Sequence, residues 1–182
     1  MRVPKFAEKA DVLPILRAHL ETMSSFRDDK LSIPDLCFFF GLPALIGIAL
    51  PCLHFGFRLD AVTGFLNAFA ILTGLMLNLL VLVFTISTSA GERPDVQLRK
   101  RVLRQVFANV CFCILIAILL TGTALVALSY MRSVSFAQTG PIATFVLASL
   151  TLNFVLSLLM VIKRMYKLIS TEFDTNVGKR AA

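Results

Sequence analysis

The sequence predicts an all-α fold: a polytopic membrane protein with four transmembrane helices, both termini cytoplasmic, and a proline-kinked first span. Three observations carry this prediction. The 182-residue chain is 57% hydrophobic, above the roughly 45–50% of a soluble domain. The excess sits in four runs free of Asp, Glu, Lys and Arg, namely Leu36–Phe57, Ala61–Gly91, Gln105–Met131 and Ser133–Ile162. Each is long enough to cross a bilayer, which takes about 20 predominantly apolar residues. Finally, sixteen of the eighteen Lys and Arg residues fall in the N-terminal segment, the connection between the second and third runs, and the C-terminal tail. Arg58 and Arg132 alone occupy the other two connections. Basic residues stay on the cytoplasmic side, which orients the chain. A barrel is not expected, because "AILTGLMLNLLVLVF" (70–84) lacks the alternation of barrel strands.

Three regions follow. Residues 1–35 form a cytoplasmic amphipathic N-terminal segment, 36–162 a four-helix transmembrane domain, and 163–182 a cytoplasmic tail. The spans are expected at about 36–57, 61–88, 105–130 and 141–162. The first 35 residues carry scattered charges and no short apolar core, so no signal peptide is expected. They are also too few to fold as a catalytic domain unaided.

Within the N-terminal segment, "DVLPILRAHLETM" (11–23) reads as an amphipathic helix. Asp11 is placed to cap it and Pro14 fits the first turn. Leu13, Leu16, Leu20 and Met23 are expected on one face and the pair Arg17 and Glu21 on another. Such a helix lies on the inner leaflet or packs against a partner.

Span 1 begins at "SIPDLCFFFGLPALIGIALP" (32–51). Asp35 meets free amides and the positive end of the helix dipole. Pro43 and Pro51 each remove a helix hydrogen bond, so a kink is expected. His54 lies near the outer end and reads as interfacial.

Span 2 carries Gly64, Asn67, Ile71, Gly74, Asn78, Val81 and Thr85 at alternating steps of three and four, one helical face. Span 3 places Asn109, Cys113, Ala117 and Thr121 four apart, and span 4 does the same with Ser149, Asn153 and Ser157. Small residues let helices approach, and Asn or Ser bonds across them at about 0.6 to 2 kcal/mol each. Two readings stand. These stripes pack helices within or between protomers, or Asn67, Asn78, Asn109 and Asn153 line a polar pathway. No charged residue lies within a span, which counts against ion-coupled transport.

On the cytoplasmic side, "RPDVQLRKRVLRQ" (93–105) is expected to extend span 3, clustering Arg99, Lys100, Arg101 and Arg104. "KRMYKLISTEF" (163–173) prolongs span 4. These surfaces suit anionic lipids, at about 1 kcal/mol per basic residue, or an acidic partner. Direct nucleic-acid binding is not expected, because no stacking or base-reading motif is present. Cys37, Cys52, Cys111 and Cys113 all lie in the spans and read as small hydrophobes, not as disulfides or zinc ligands. There is no phosphate-binding glycine loop, no HExxH and no Ser–His–Asp set, so neither enzyme activity nor a cofactor or metal is expected.

Four spans, cytoplasmic termini and "IPDLCFFFGLP" leading into a proline-bearing first span resemble the small membrane subunits of bacterial anti-phage systems, the Kiwa membrane subunits in particular. The resemblance covers the whole chain as an architecture and carries no site residues across. It implies an oligomeric sensor in the bacterial inner membrane that assembles with a soluble, DNA-binding cytoplasmic partner. The expected function is a non-enzymatic membrane sensor or scaffold that forms a dimer or tetramer and recruits a cytoplasmic protein. The alternative is a passive channel or membrane-depolarising effector formed by the oligomer.

Overall fold

Three helices have the length and composition to cross a membrane: Leu59–Ile86, Val102–Val134 and Pro141–Lys167. They belong to longer elements in a computed structural model that describes residues 11–23, 36–88, 96–134 and 137–180. Side chains are described for these except at 87–88, 96–101, 168 and 171–180. In chain order the helices are α1 (Leu13–Glu21), α2 (Leu42–Cys52), α3 (Leu59–Thr88), α4 (Val96–Val134) and α5 (Pro141–Arg180). A π-helical turn, Cys37–Gly41, leads into α2. No strand occurs among the described residues, which hold one isolated bridge, Arg58 with Gln138. The all-helical expectation stands. Asp35 lies outside the described residues.

The α4 helix is the centre of the architecture. It packs against α3 and α5, and α1 lies across its N-terminal half. The π turn and α2 pack on α5. The α3 helix faces α4 through Val62, Phe69, Met76 and Val83, buried at seven-residue intervals. Leu147, Phe154 and Val161 repeat that spacing on α5. Phe69 and Phe154 meet edge to face, 5.3 Å apart. Between them α4 presents Val106, Val110, Cys113, Ala117, Leu120 and Ala124. Seven-residue spacing keeps a seam facing its neighbour as the helices cross at a shallow angle.

The helix at the place of the expected first span is shorter than that expectation. This apolar helix runs from Cys37 to Cys52 and stops there, about 24 Å at 1.5 Å per residue against a hydrocarbon core of about 30 Å. The stop has a cause. His54 takes a left-handed φ of 56°. The His54 amide bonds to the Pro51 carbonyl, and the Phe55 amide to the Leu50 carbonyl, both at 2.9 Å. This pair of bonds is the Schellman arrangement, which closes a helix with one residue in the left-handed region.

At this end of the molecule the two short connections are clipped together. The Thr139 amide donates to the Phe57 carbonyl and the Phe57 amide to the Thr139 hydroxyl, each at 2.9 Å. Gly56 makes the approach possible, because a Cβ there would meet the Thr139 carbonyl at 2.8 Å. At the other end lies α1.

Candidate functional site: a polar seat for the N-terminal helix

The α1 helix starts where the sequence places it: the Asp11 carboxylate accepts the Leu13 amide at 2.9 Å, and Pro14 lies in the first turn. The buried face is rotated from the expected one. Ile15 and Leu16 pack against the core, and His19, Thr22 and Met23 are buried. Leu13 points outward at 54% exposure, and Leu20 is half-buried. The reason is that α1 meets a polar patch on α4 and α5, so His19 displaces the leucine edge.

His19 is wholly enclosed. Its ring stacks on Phe112 with centroids 3.7 Å apart and planes 11° from parallel. Its Nδ1 lies 2.9 Å from Asn109 Oδ1. The Thr22 hydroxyl sits 2.6 Å from the His19 carbonyl and 2.8 Å from Asn109 Oδ1, and donates to either. Asn109 sends its own N–H to the sulfur of Met160 on α5 at 3.0 Å. One turn along α5, the Arg164 guanidinium donates to the Thr22 carbonyl. Thr22 closes the C-terminus of α1, where free carbonyls carry the negative end of the helix dipole and a cation is favourable.

This network fixes the state of the imidazole. With Asn109 Oδ1 as acceptor, Nδ1 carries the proton and Nε2 is left bare. Nε2 is buried without a partner, as is Nη1 of Arg164. Burial holds His19 down to about 4; the Asn109 bond pulls upward, and the positive charge of Arg164 pushes further down. At neutral pH the ring is therefore uncharged. The cluster holds α1 on α4 and α5.

A second polar contact lies deeper. Pro43 has no N–H to offer the carbonyl of Phe39 four residues earlier, and Asn153 of α5 donates to that oxygen at 2.9 Å. Gly47, one turn past Pro43, is buried and closely approaches α5: a Cβ there would lie 2.0 Å from the Ser149 hydroxyl. Asn153 Oδ1 and the hydroxyls of Ser149, Thr151 and Ser157 are buried without a partner.

The residues singled out from the sequence separate into groups. Asn109 and Asn153 are buried. Gly64, Asn67, Gly74 and Asn78 are exposed on the opposite side of α3 from its packing seam. The four asparagines therefore share no interior path within one chain. Pro43 begins α2 and Pro51 lies in its last turn. Arg104 is exposed, while the side chains of Arg99, Lys100 and Arg101 lie outside the described residues. The helical extension of span 3 starts at Val96, and that of span 4 reaches Arg180. Sequence reasoning missed His19, Thr22, Phe112, Met160 and Arg164. One signal was available: His19 falls three residues from Leu16 and four from Met23, and Thr22 three from His19.

Among the described residues no group of three or more His, Cys, Asp or Glu side chains is placed to hold a metal ion. No protein-family model matches the chain, and no match is found among curated proteins or solved structures.

Proposed function

We propose that this chain is a non-enzymatic sensor or scaffold of the bacterial inner membrane, a multi-pass protein with four spans and cytoplasmic termini. It oligomerises and recruits a soluble cytoplasmic partner in phage defence. The observation that carries this reading is the seat of α1. An element with an exposed charged edge, Arg17 and Glu21, is held on two span-length helices by His19, Thr22 and Met23. Of the side chains that seat it, Asn109 and Met160 also tie α4 to α5, and Arg164 ties α5 to α1. Docking of α1 and the contact between two spans are thus linked. A partner that binds α1 differently in its seated and released states shifts both together.

The division of basic residues supports the cytoplasmic placement of this end, and the architectural resemblance supports the defence setting. Membrane lipids are the other contact for the basic extensions. A second reading, a passive channel or depolarising effector, draws on the outward-facing Asn67 and Asn78, which an oligomer would turn toward a shared axis.

The test is purification from native membranes in mild detergent, comparing wild type with Asn109→Leu and Arg164→Ala. The sensor reading expects a soluble protein at a fixed ratio to wild type and a lower ratio in the variants. Absence of any such protein, together with ion flux through wild type in liposomes, replaces it with the channel reading.

A further inference from the structure

The back of α3 carries a second helix-packing seam that no other described residue covers. Val62, Phe69, Met76 and Val83 bury one side against α4. At 100° per residue, the line Gly64, Asn67, Ile71, Gly74, Asn78 and Val81 falls on the opposite side, and every one of its members is exposed. Of the three long helices α3 is the least covered: 17% of its most apolar stretch is buried, against 44% in α4 and 33% in α5. Its backbone packs on α4 and on no other element among the described residues.

Two properties make this line an interface. The first is its period. Gly64, Ile71 and Asn78 repeat every seven residues, and Asn67, Gly74 and Val81 repeat in the alternate positions. This is the pattern by which one helix lies along another. At Gly64 and Gly74 a Cβ would meet nothing within 4 Å, so a second backbone can come close. The second is its chemistry. Asn67 and Asn78 lie about 12 and 15 Å from the nearer ends of Leu59–Thr88, inside a hydrocarbon layer about 30 Å thick centred on that helix. Neither carboxamide has a hydrogen bond among the described residues. In lipid such a group needs a polar partner on another helix.

We propose that this face binds a second copy of the chain, α3 against α3, in a parallel pair whose two-fold axis runs along the membrane normal. Every copy inserts with the same topology, so two α3 helices brought together laterally run in the same direction. The two-fold axis then sets Asn67 beside Asn67 of the other copy, and Asn78 beside Asn78, at equal depth. A carboxamide both donates and accepts, so each pair satisfies itself. In parallel coiled coils a seam asparagine meeting its counterpart fixes register and favours two strands. An unrelated partner would have to offer polar groups at both depths. The proposal rests on the membrane reading above and gives its oligomer a specific surface.

The test is a disulfide scan on the full chain in native membranes, with Cys37, Cys52, Cys111 and Cys113 replaced by alanine. Single cysteines are placed at Asn67, Ile71, Gly74 and Asn78, and at the exposed flanking positions Ala68 and Leu77. Cross-linked dimer is expected at the first four and not at the last two. In nanodiscs the wild type is expected as a dimer, and Asn67→Leu with Asn78→Leu is expected to weaken dimerisation at least about tenfold. Cross-links strongest at Ala68 or Leu77, equal dimerisation of the double variant, or capture of a different protein by the line overturn the proposal. Carbonate washing separates the two levels. A chain released by carbonate overturns the membrane reading and the dimer with it, whereas a chain that is retained but monomeric overturns the dimer alone.

Discussion

Asn153 of α5 donates its side-chain N–H to the carbonyl oxygen of Phe39 at 2.9 Å, the oxygen that Pro43 has no N–H to reach. A proline in a membrane helix is tolerated when a neighbour re-satisfies the freed backbone group. Here the rescuer is one named amide, so its removal has a defined consequence. Asn153→Leu should cost about 1–3 kcal/mol of stability, the penalty for leaving a buried acceptor unmet. Pro43→Ala restores the helical donor, and in that background the same Asn153→Leu change should cost less. Unfolding in mixed detergent micelles, read as a double-mutant cycle, checks the coupling. Equal costs in both backgrounds would mean that the bond contributes nothing.

Gly47 and Ser149 set how closely α2 lies on α5. A Cβ at Gly47 would also approach the Phe145 carbonyl at 3.0 Å and the Phe145 ring at 3.1 Å. Gly47→Ala should therefore destabilise by about 1–3 kcal/mol, as overpacked sites do. Adding Ser149→Ala removes the nearest atom and should recover part of the loss, but not all of it, because the Phe145 carbonyl is backbone. Thermal denaturation of wild type and the two variants, followed by circular dichroism, measures the difference.

Much of this fold was legible from periodicity and composition. Charge-free runs gave the long helices, Asp11 and Pro14 gave the start of α1, and the stretch before span 3 gave the extension of α4, which is described from Val96. The end of α2 was not legible, because His54 closes it in a conformation the sequence marks only when glycine occupies the position. Nor was the seat of α1. Leu13, Leu16 and Leu20 describe an apolar edge, but the face actually used is chosen by Asn109 and Phe112, some ninety residues away. The stripes of α3 and α4 look alike as sequence. Only the placement of neighbouring helices shows that Asn109 is enclosed while Asn67 and Asn78 face outward.

The seat of α1 should loosen in acid. The docked pKa of His19, about 4, lies below its ordinary 6.5, so the neutral ring's contribution is full above pH 6.5 and is lost as pH falls from there toward 4. In that window docking weakens by up to about tenfold per pH unit, because the released helix binds a proton that the docked helix excludes. The charge acting on the ring comes from Arg164; Asn109 and Phe112 supply no acceptor for a second proton. Hydrogen exchange of the amides in 13–23 at pH 7.5 and 5.5 measures the effect. Protection should fall in wild type and stay level in His19→Gln, even if that variant starts lower. An equal fall in both would assign the pH response to another group.

The basic start of α4 should serve docking as well as orientation. The helical backbone from Val96 onward puts Lys100 and Arg104 one turn apart on one side, with Arg99 and Arg101 about 100° away on either flank. Lys100→Glu with Arg104→Glu leaves the basic residues of the N-terminal segment and the tail untouched, so membrane insertion should persist. Recruitment of a soluble acidic partner should drop, by about the 1 kcal/mol per charge typical of such contacts, or more where sign reversal adds repulsion. In wild type the same recruitment should weaken as salt rises from 50 to 300 mM, because exposed charges are screened over about 8–10 Å at physiological ionic strength. Reporter fusions at Ala182 check insertion, and co-purification across the salt series checks docking. A double variant that inserts and recruits like wild type would leave the cluster a topology signal only, and docking would pass to α1 or to residues 163–173.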